Sequence, residues 1–472
     1  MTTIRNGLRL LASILVIGLA ACGGGGGGDG GDRPPPGPGP GQPPPPPPPP
    51  VEPLARQIAA ARETILADVC FRNGGGCAFT DHAYRPADFA MTESTGEAIL
   101  IVDTFDTLPV RALRYRNRIK GFYRFGAGGV VVRASSTWHA PTSLWRALAP
   151  FSGPDHVAAW RLRSLRTAIQ TAYPGVAFDN VGHGSMVFSL LADANPRQPL
   201  ILMDGFSLHE MAPDAYCDVS GSATAQHRLA VVAQQAAVAL QAMIQAEGVR
   251  FINYSGGHTL QTIKADWTED CGGPPPSNDL LRSRLAAHEP IYAVLFATPG
   301  VATAHAAIGG GQPIDFPFDQ ASSAYANRIR VGYFTSLASG LDAQGRGDVS
   351  ALGGWPSEGW ADLYVNTGVL PTRPFQHNRT PLLQIDDFGV DHFPITGPQS
   401  SWVTPLALSR LIHLRQSIFA DRPMDDALVA DLFERVTPGA CPSQTGGRCR
   451  YQDPLLHGQI EAIRLGYQPL EY

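Results

Sequence analysis

Six short apolar runs set the limits on how this chain can fold: Ala98–Val102, Pro199–Met203, Val249–Asn253, Ile291–Phe296, Arg328–Phe334 and Asp362–Val365. Each has the length of a strand. The first reads Ala-Ile-Leu-Ile-Val, with no polar alternation. A strand that is apolar on both faces has to be covered on both faces. Longer helical runs lie between them, over Asp155–Ala172, His183–Ala194, Thr224–Glu247 and Ser277–His288. The third is rich in Ala, Gln and Leu and stops at Gly248, a suitable C-cap. This alternation predicts an α/β fold with a mainly parallel sheet and helices on both faces. In such sheets chemistry gathers at the carboxyl ends of the strands.

The amino-terminal end obeys different rules. Arg5 and Arg9 precede a short apolar stretch, Leu10 to Leu19, which suits an export signal better than a membrane span. It ends in Leu19-Ala20-Ala21-Cys22, which resembles the bacterial lipobox. The resemblance implies a signal peptide over 1–21, cleavage before Cys22 and lipidation there. Gly23 rather than Asp after the cysteine then implies sorting to the outer membrane. Residues 22–53 are dominated by glycine and then proline. A flexible tract followed by a stiff polyproline II spacer is a tether, and it carries no chemistry. The folded region is therefore expected over 54–472, as one large domain with insertions. The net charge is −5 and no basic run occurs, which argues against a nucleic-acid partner.

Apart from Cys22, the cysteines are Cys70, Cys77, Cys217, Cys271, Cys441 and Cys449. An even number in an exported chain suggests disulfides. Cys70–Cys77 and Cys441–Cys449 would each close a short glycine-containing loop, leaving Cys217–Cys271. This is one of several pairings that six cysteines allow. No CxxC spacing points to zinc.

Three polar residues stand where a site would form. Asp103 ends the first apolar run, in Ile101-Val102-Asp103-Thr104. Taken alone, it is better accounted for as a cap on the next turn. His183 opens a helix in Asn180-Val181-Gly182-His183-Gly184-Ser185-Met186, where packing alone would favour Ser or Asp. Glycines beside a histidine let another backbone come close. Ser401 begins a helix expected to reach about Ile418, and helix N-termini favour negative charge. Ser400 or Ser401 would also serve as a plain N-cap. Pro405, one turn in, removes or strains a ladder bond, which a helix built only for packing does not need.

Together these segments resemble the subtilase family, the subtilisin-like serine peptidases. The order Asp, His, Ser is the subtilisin order. Gly182-His183-Gly184-Ser185-Met186-Val187 resembles the family's histidine helix, and Ser401-Trp402-Val403-Thr404-Pro405 its serine segment. Phe251-Ile252-Asn253-Tyr254-Ser255-Gly256-Gly257 resembles the strand whose end pairs with an extended substrate. The resemblance spans roughly Glu97 to Leu414. It implies a subtilisin-like fold and a membrane-tethered serine endopeptidase acting on peptide or protein substrates. Ser401 would be the nucleophile, His183 the base and Asp103 its orienter, with substrate backbone held by Ser255, Gly256 and Gly257. No metal or organic cofactor is required. Structural calcium is common in the family, although no ligand set here identifies a site.

The chain departs from the family pattern at several positions. Phe105 replaces a Gly, Met186 replaces a second His, and Gln399-Ser400 replaces Gly-Thr. The stretch matched to the oxyanion segment, Leu295-Phe296-Ala297-Thr298-Pro299-Gly300, has no Asn, so Thr298 or an Asn from elsewhere in the chain is the donor expected in its place. Two alternatives stay open. One is a catalytically weak or inactive peptide-binding lipoprotein on the same scaffold. The other is an α/β-hydrolase esterase using Ser255, with Asp387 and His392 as its later partners. His258 reads as a loop or capping histidine. Asp386, Asp387, Asp391 and His392 read as a solvated acidic loop, with a metal site as the alternative.

Overall fold

The computed structural model describes residues 52–174, 182–307, 325–334, 361–366, 369–370, 373–377, 383–394, 399–436 and 450–452. The signal peptide, Cys22, nearly all of the tether and the Cys441–Cys449 pairing lie outside them.

Nine strands form the central sheet. Across it the order is Arg450–Gln452, Leu363–Asn366, Arg328–Phe334, Ala302–Ala306, Val249–Tyr254, Ala98–Asp103, Leu200–Asp204, Ile119–Gly126 and Val130–Arg133. Only the last pair is antiparallel. The fold is α/β with a mainly parallel sheet covered on both faces, as expected. The Ala98–Asp103 strand makes the reason plain. Ile99 and Ile101 pack against Val187, Phe188 and Leu191 on one face, with Val403, Leu406 and Leu411 in the same core. Ala98, Leu100 and Val102 join Leu229, Val232, Ala236 and Leu240 on the other. Every residue of this strand is buried, so alternation would have failed.

The long helix runs Ala223–Glu247. It is capped by Ser222 Oγ, which accepts from Ala225 N, and it ends at Gly248 with φ of 70°. On the opposite face lie the His183–Ala192 and Ser400–Ser417 helices. An amino-terminal helix, Pro53–Ala67, buries Ala61 and Ile65 among Leu144, Leu148, Leu165 and Ile169. The Asp155–Ala172 run resolves into a short 3₁₀ turn, Ala159–Leu162, and a helix, Ser164–Ala172.

One strand assignment is corrected. Ile291–Phe296 belongs to a helix, Glu289–Ala297, with Pro290 in its first turn, where proline's missing N–H costs nothing. The strand that follows is Ala302–Ala306, built of Ala, Thr and His. Its small side chains gave no β signal. It is nonetheless fully buried between two other strands.

Candidate active site

Asp103 closes its strand at the centre of the sheet, in register with Asp204 on one neighbour and beside the end of Val249–Tyr254 on the other. Its Oδ1 accepts from Thr104 N at 2.7 Å and lies 2.6 Å from His183 Nδ1. Oδ2 has no partner among the described residues. Burial pushes the Asp103 carboxyl up, opposed by the His183 hydrogen bond and charge and by Thr104 N. An ionised carboxylate can only accept, so this contact puts a proton on Nδ1 and leaves Nε2 of the neutral ring as an acceptor.

His183 is the first residue of its helix, after an extended Gly182. Its side chain is about a third exposed. The ring lies against Trp402, centroids 4.8 Å apart. Gly184 accounts for one of the two flanking glycines. A Cβ there would stand 2.5 Å from Thr104 O and 2.8 Å from Phe105 Cε1. The helix therefore sits directly on the turn that leaves Asp103, and this close approach sets the distance between carboxylate and imidazole.

Ser401 is the second residue of its helix, which has no side-chain cap. The Ser401 Oγ donates to Ser255 O at 3.3 Å, and Ser255 Oγ donates to Ser401 O at 3.1 Å. Asn253 Nδ2 donates to Ser255 Oγ at 2.8 Å. Asp103 with its histidine and Ser255 with Ser401 thus stand at the ends of adjacent parallel strands. In this arrangement the Ser401 hydroxyl is bonded to Ser255 rather than to His183.

The Ser255–Gly257 segment has a second brace. His305 Nε2 contacts Gly256 O at 3.1 Å, and burial holds His305 well below the ordinary histidine range, so it is a neutral donor. The Gly256 carbonyl is thereby occupied. An added strand would pair with Ser255 and Gly257, which share one edge. The rim beyond Asp103 is acidic. Asp204 accepts from Phe105 N at 2.8 Å. Burial raises the Asp204 and Glu210 carboxyls, with Asp106 adding to both.

Thr298 does not reach this site. It follows the Glu289–Ala297 helix and precedes the Ala302–Ala306 strand, so it lies at the amino end of the parallel strands, opposite the carboxyl end that carries Asp103. Its hydroxyl is bonded to Val294 O and Gln241 Oε1. Thr298 was expected to follow a strand over Ile291–Phe296, and that stretch is helical.

The acidic run near Asp387 is not a solvated loop. Asp386 is buried and its carboxyl is pushed up to about 6, chiefly by burial. Asp387 pairs with Arg111, and Asp391 with Arg163 at 2.8 Å and Arg166 at 3.2 Å. His392 Nε2 lies 3.5 Å from buried Asp193. None of these partners is Ser255, whose hydroxyl is held by Asn253 and Ser401, so the Ser255–Asp387–His392 alternative has no relay. His258 lies in the loop just before the Leu260–Cys271 helix, as expected, half-buried with its Nε2 2.9 Å from Phe206 O.

Cys70 is bonded to Cys77, and Cys217 to Cys271. The second bridge ties the segment after Leu200–Asp204 to the Leu260–Cys271 helix, just beyond Gly257. His209 lies beside that bridge, but both sulfurs are committed to it and offer no thiolate to a metal.

No protein-family model matches this chain, and no curated protein matches its sequence. Among solved structures, Pseudomonas sedolisin, a serine-carboxyl proteinase complexed with two molecules of pseudo-iodotyrostatin, aligns over 83% of this chain and 99% of its own. The TM-score is 0.30 and the identity 11%. A likeness this distant does not say which reaction the site performs.

Proposed function

We propose that this protein is a serine hydrolase that cleaves peptide bonds, exported and held to a membrane through a lipid on Cys22. The observation that carries the reading is the 2.6 Å contact between Asp103 and His183 at a strand end, beside a serine at a helix N-terminus. Ser401 Oγ attacks the substrate carbonyl. His183 Nε2 takes its proton and returns it to the leaving amine. Asp103 fixes the tautomer and stabilises the imidazolium. The first-turn N–H groups of the Ser401 helix face the developing negative charge. Before attack, the Ser401 hydroxyl rotates away from Ser255 O toward His183 Nε2. Release of Ser255 O then leaves it open to substrate backbone, next to Gly257.

The bond between Ser401 and Ser255 also favours a second reading, a peptide-binding lipoprotein in which the serine never attacks. A mixed peptide library separates the two. Catalysis predicts cleavage products from the parent protein and none from Ser401→Ala. The binding reading predicts retention of peptides by both proteins without products.

A further inference from the structure

The Ser400–Ser417 helix contains Pro405. Proline has no N–H, so the carbonyl four residues earlier loses its ladder donor. That carbonyl belongs to Ser401. The vacant donor position is filled from the sheet, by Ser255 Oγ at 3.1 Å. Ser255 is fixed in turn by Asn253 Nδ2 at 2.8 Å. Asn253 is fully buried, paired between Ile101 and Ala304, and its Oδ1 has no partner among the described residues. An apolar residue would fit this core position without leaving a buried amide oxygen unpaired.

We propose that Ser255 and Asn253 are positioning residues for Ser401. They act through the Ser401 carbonyl, which Pro405 has released from the helix, and set the height and rotation of the residue that carries the hydroxyl. This rests on the reading of Ser401 as nucleophile. The chain of donors runs one way, from Asn253 to Ser255 to Ser401 O. Removing either side chain therefore breaks the same link, and the helix cannot repair it because residue 405 has nothing to donate.

The test measures peptide hydrolysis and the rate of Ser401 modification by a fluorophosphonate in the full chain. Ser255→Val is expected to lower kcat about tenfold to a hundredfold with KM little changed, since small misplacements of a reacting group cost that much. Ser255→Thr keeps the hydroxyl and is expected to keep most of the rate. Asn253→Ala is expected to resemble Ser255→Val, and the double variant to be no slower than Ser255→Val alone. Pro405→Ala restores an N–H to the Ser401 carbonyl, so Ser255→Val in that background is expected to lose far less than in the parent. Losses that multiply, losses confined to KM, or equal losses in the two backgrounds would overturn the proposal. If the parent protein is modified at Ser401 and Ser255→Val reacts as fast, only the positioning role falls. If the parent is not modified at Ser401 at all, the hydrolase reading falls and takes this proposal with it.

Discussion

His183 Nδ1 lies 2.6 Å from Asp103 Oδ1, and the same oxygen accepts from Thr104 N. The imidazole is held in one tautomer by a carboxylate that the sheet itself fixes in place. Asp103→Asn keeps the shape and offers an amide in place of the acceptor. The expected result is a fall in kcat of about 10³–10⁴-fold with the fold intact, read from steady-state kinetics beside a thermal melt. Retained kcat would mean that this contact only packs the helix.

Gly184 makes a prediction about packing rather than charge. Gly184→Ala brings a Cβ to 2.5 Å from Thr104 O, a backbone atom that cannot swing aside. The helix has to lift. Stability is expected to fall by about 1–3 kcal/mol, and Ser401 modification to slow by more than the melt explains, because His183 moves with the helix. An unchanged rate would show that the two groups are not set by this approach.

The acidic run around Asp386 predicts a pH dependence. The Asp386 carboxyl is raised to about 6 by burial, so the native state prefers it protonated. Its contribution to stability is present below the ordinary carboxylate value and is lost as pH rises through about 6. That loss is worth up to about 3 kcal/mol. Asp386→Asn is expected to flatten the fall in urea midpoint between about pH 4 and pH 7. Some slope remains, because burial also raises Asp103, Asp204 and Glu210. An unaltered slope in the variant would contradict the assignment.

The Cys217–Cys271 bridge closes a 54-residue interval. On the chain-entropy account, removing it costs about 4 kcal/mol. Replacing both cysteines with serine is expected to lower the urea midpoint accordingly. It also frees the wall beyond Gly257, so KM should rise more than kcat falls. A loss in kcat alone would place the bridge's effect elsewhere.

What could be read from the chain was whatever depended on local periodicity. The Ala98–Asp103 and Arg328–Phe334 strands are dense in β-branched or aromatic residues, and the long helix carries its own C-cap. Ala302–Ala306 was missed because its strand character comes from its neighbours. Taking Ile291–Phe296 as the strand instead put Thr298 at a strand's carboxyl end, whereas it precedes Ala302–Ala306 at the amino end. Asp103, His183 and Ser401 stood out because each sits at the end of an element, and the structure brings the first two into contact. Asn253 was not, since a polar residue inside an apolar run shows its use only when the contact with Ser255 is seen. The acidic run misled for the opposite reason. Its carboxyls look solvated until Arg111, Arg163 and Arg166 arrive from distant segments.

The most direct measurement is peptide mapping after reaction with a fluorophosphonate. The account predicts a single adduct on Ser401, absent from His183→Ala and Ser401→Ala. An adduct on Ser255, or a parent protein that binds peptides yet takes no adduct while remaining folded, would contradict it.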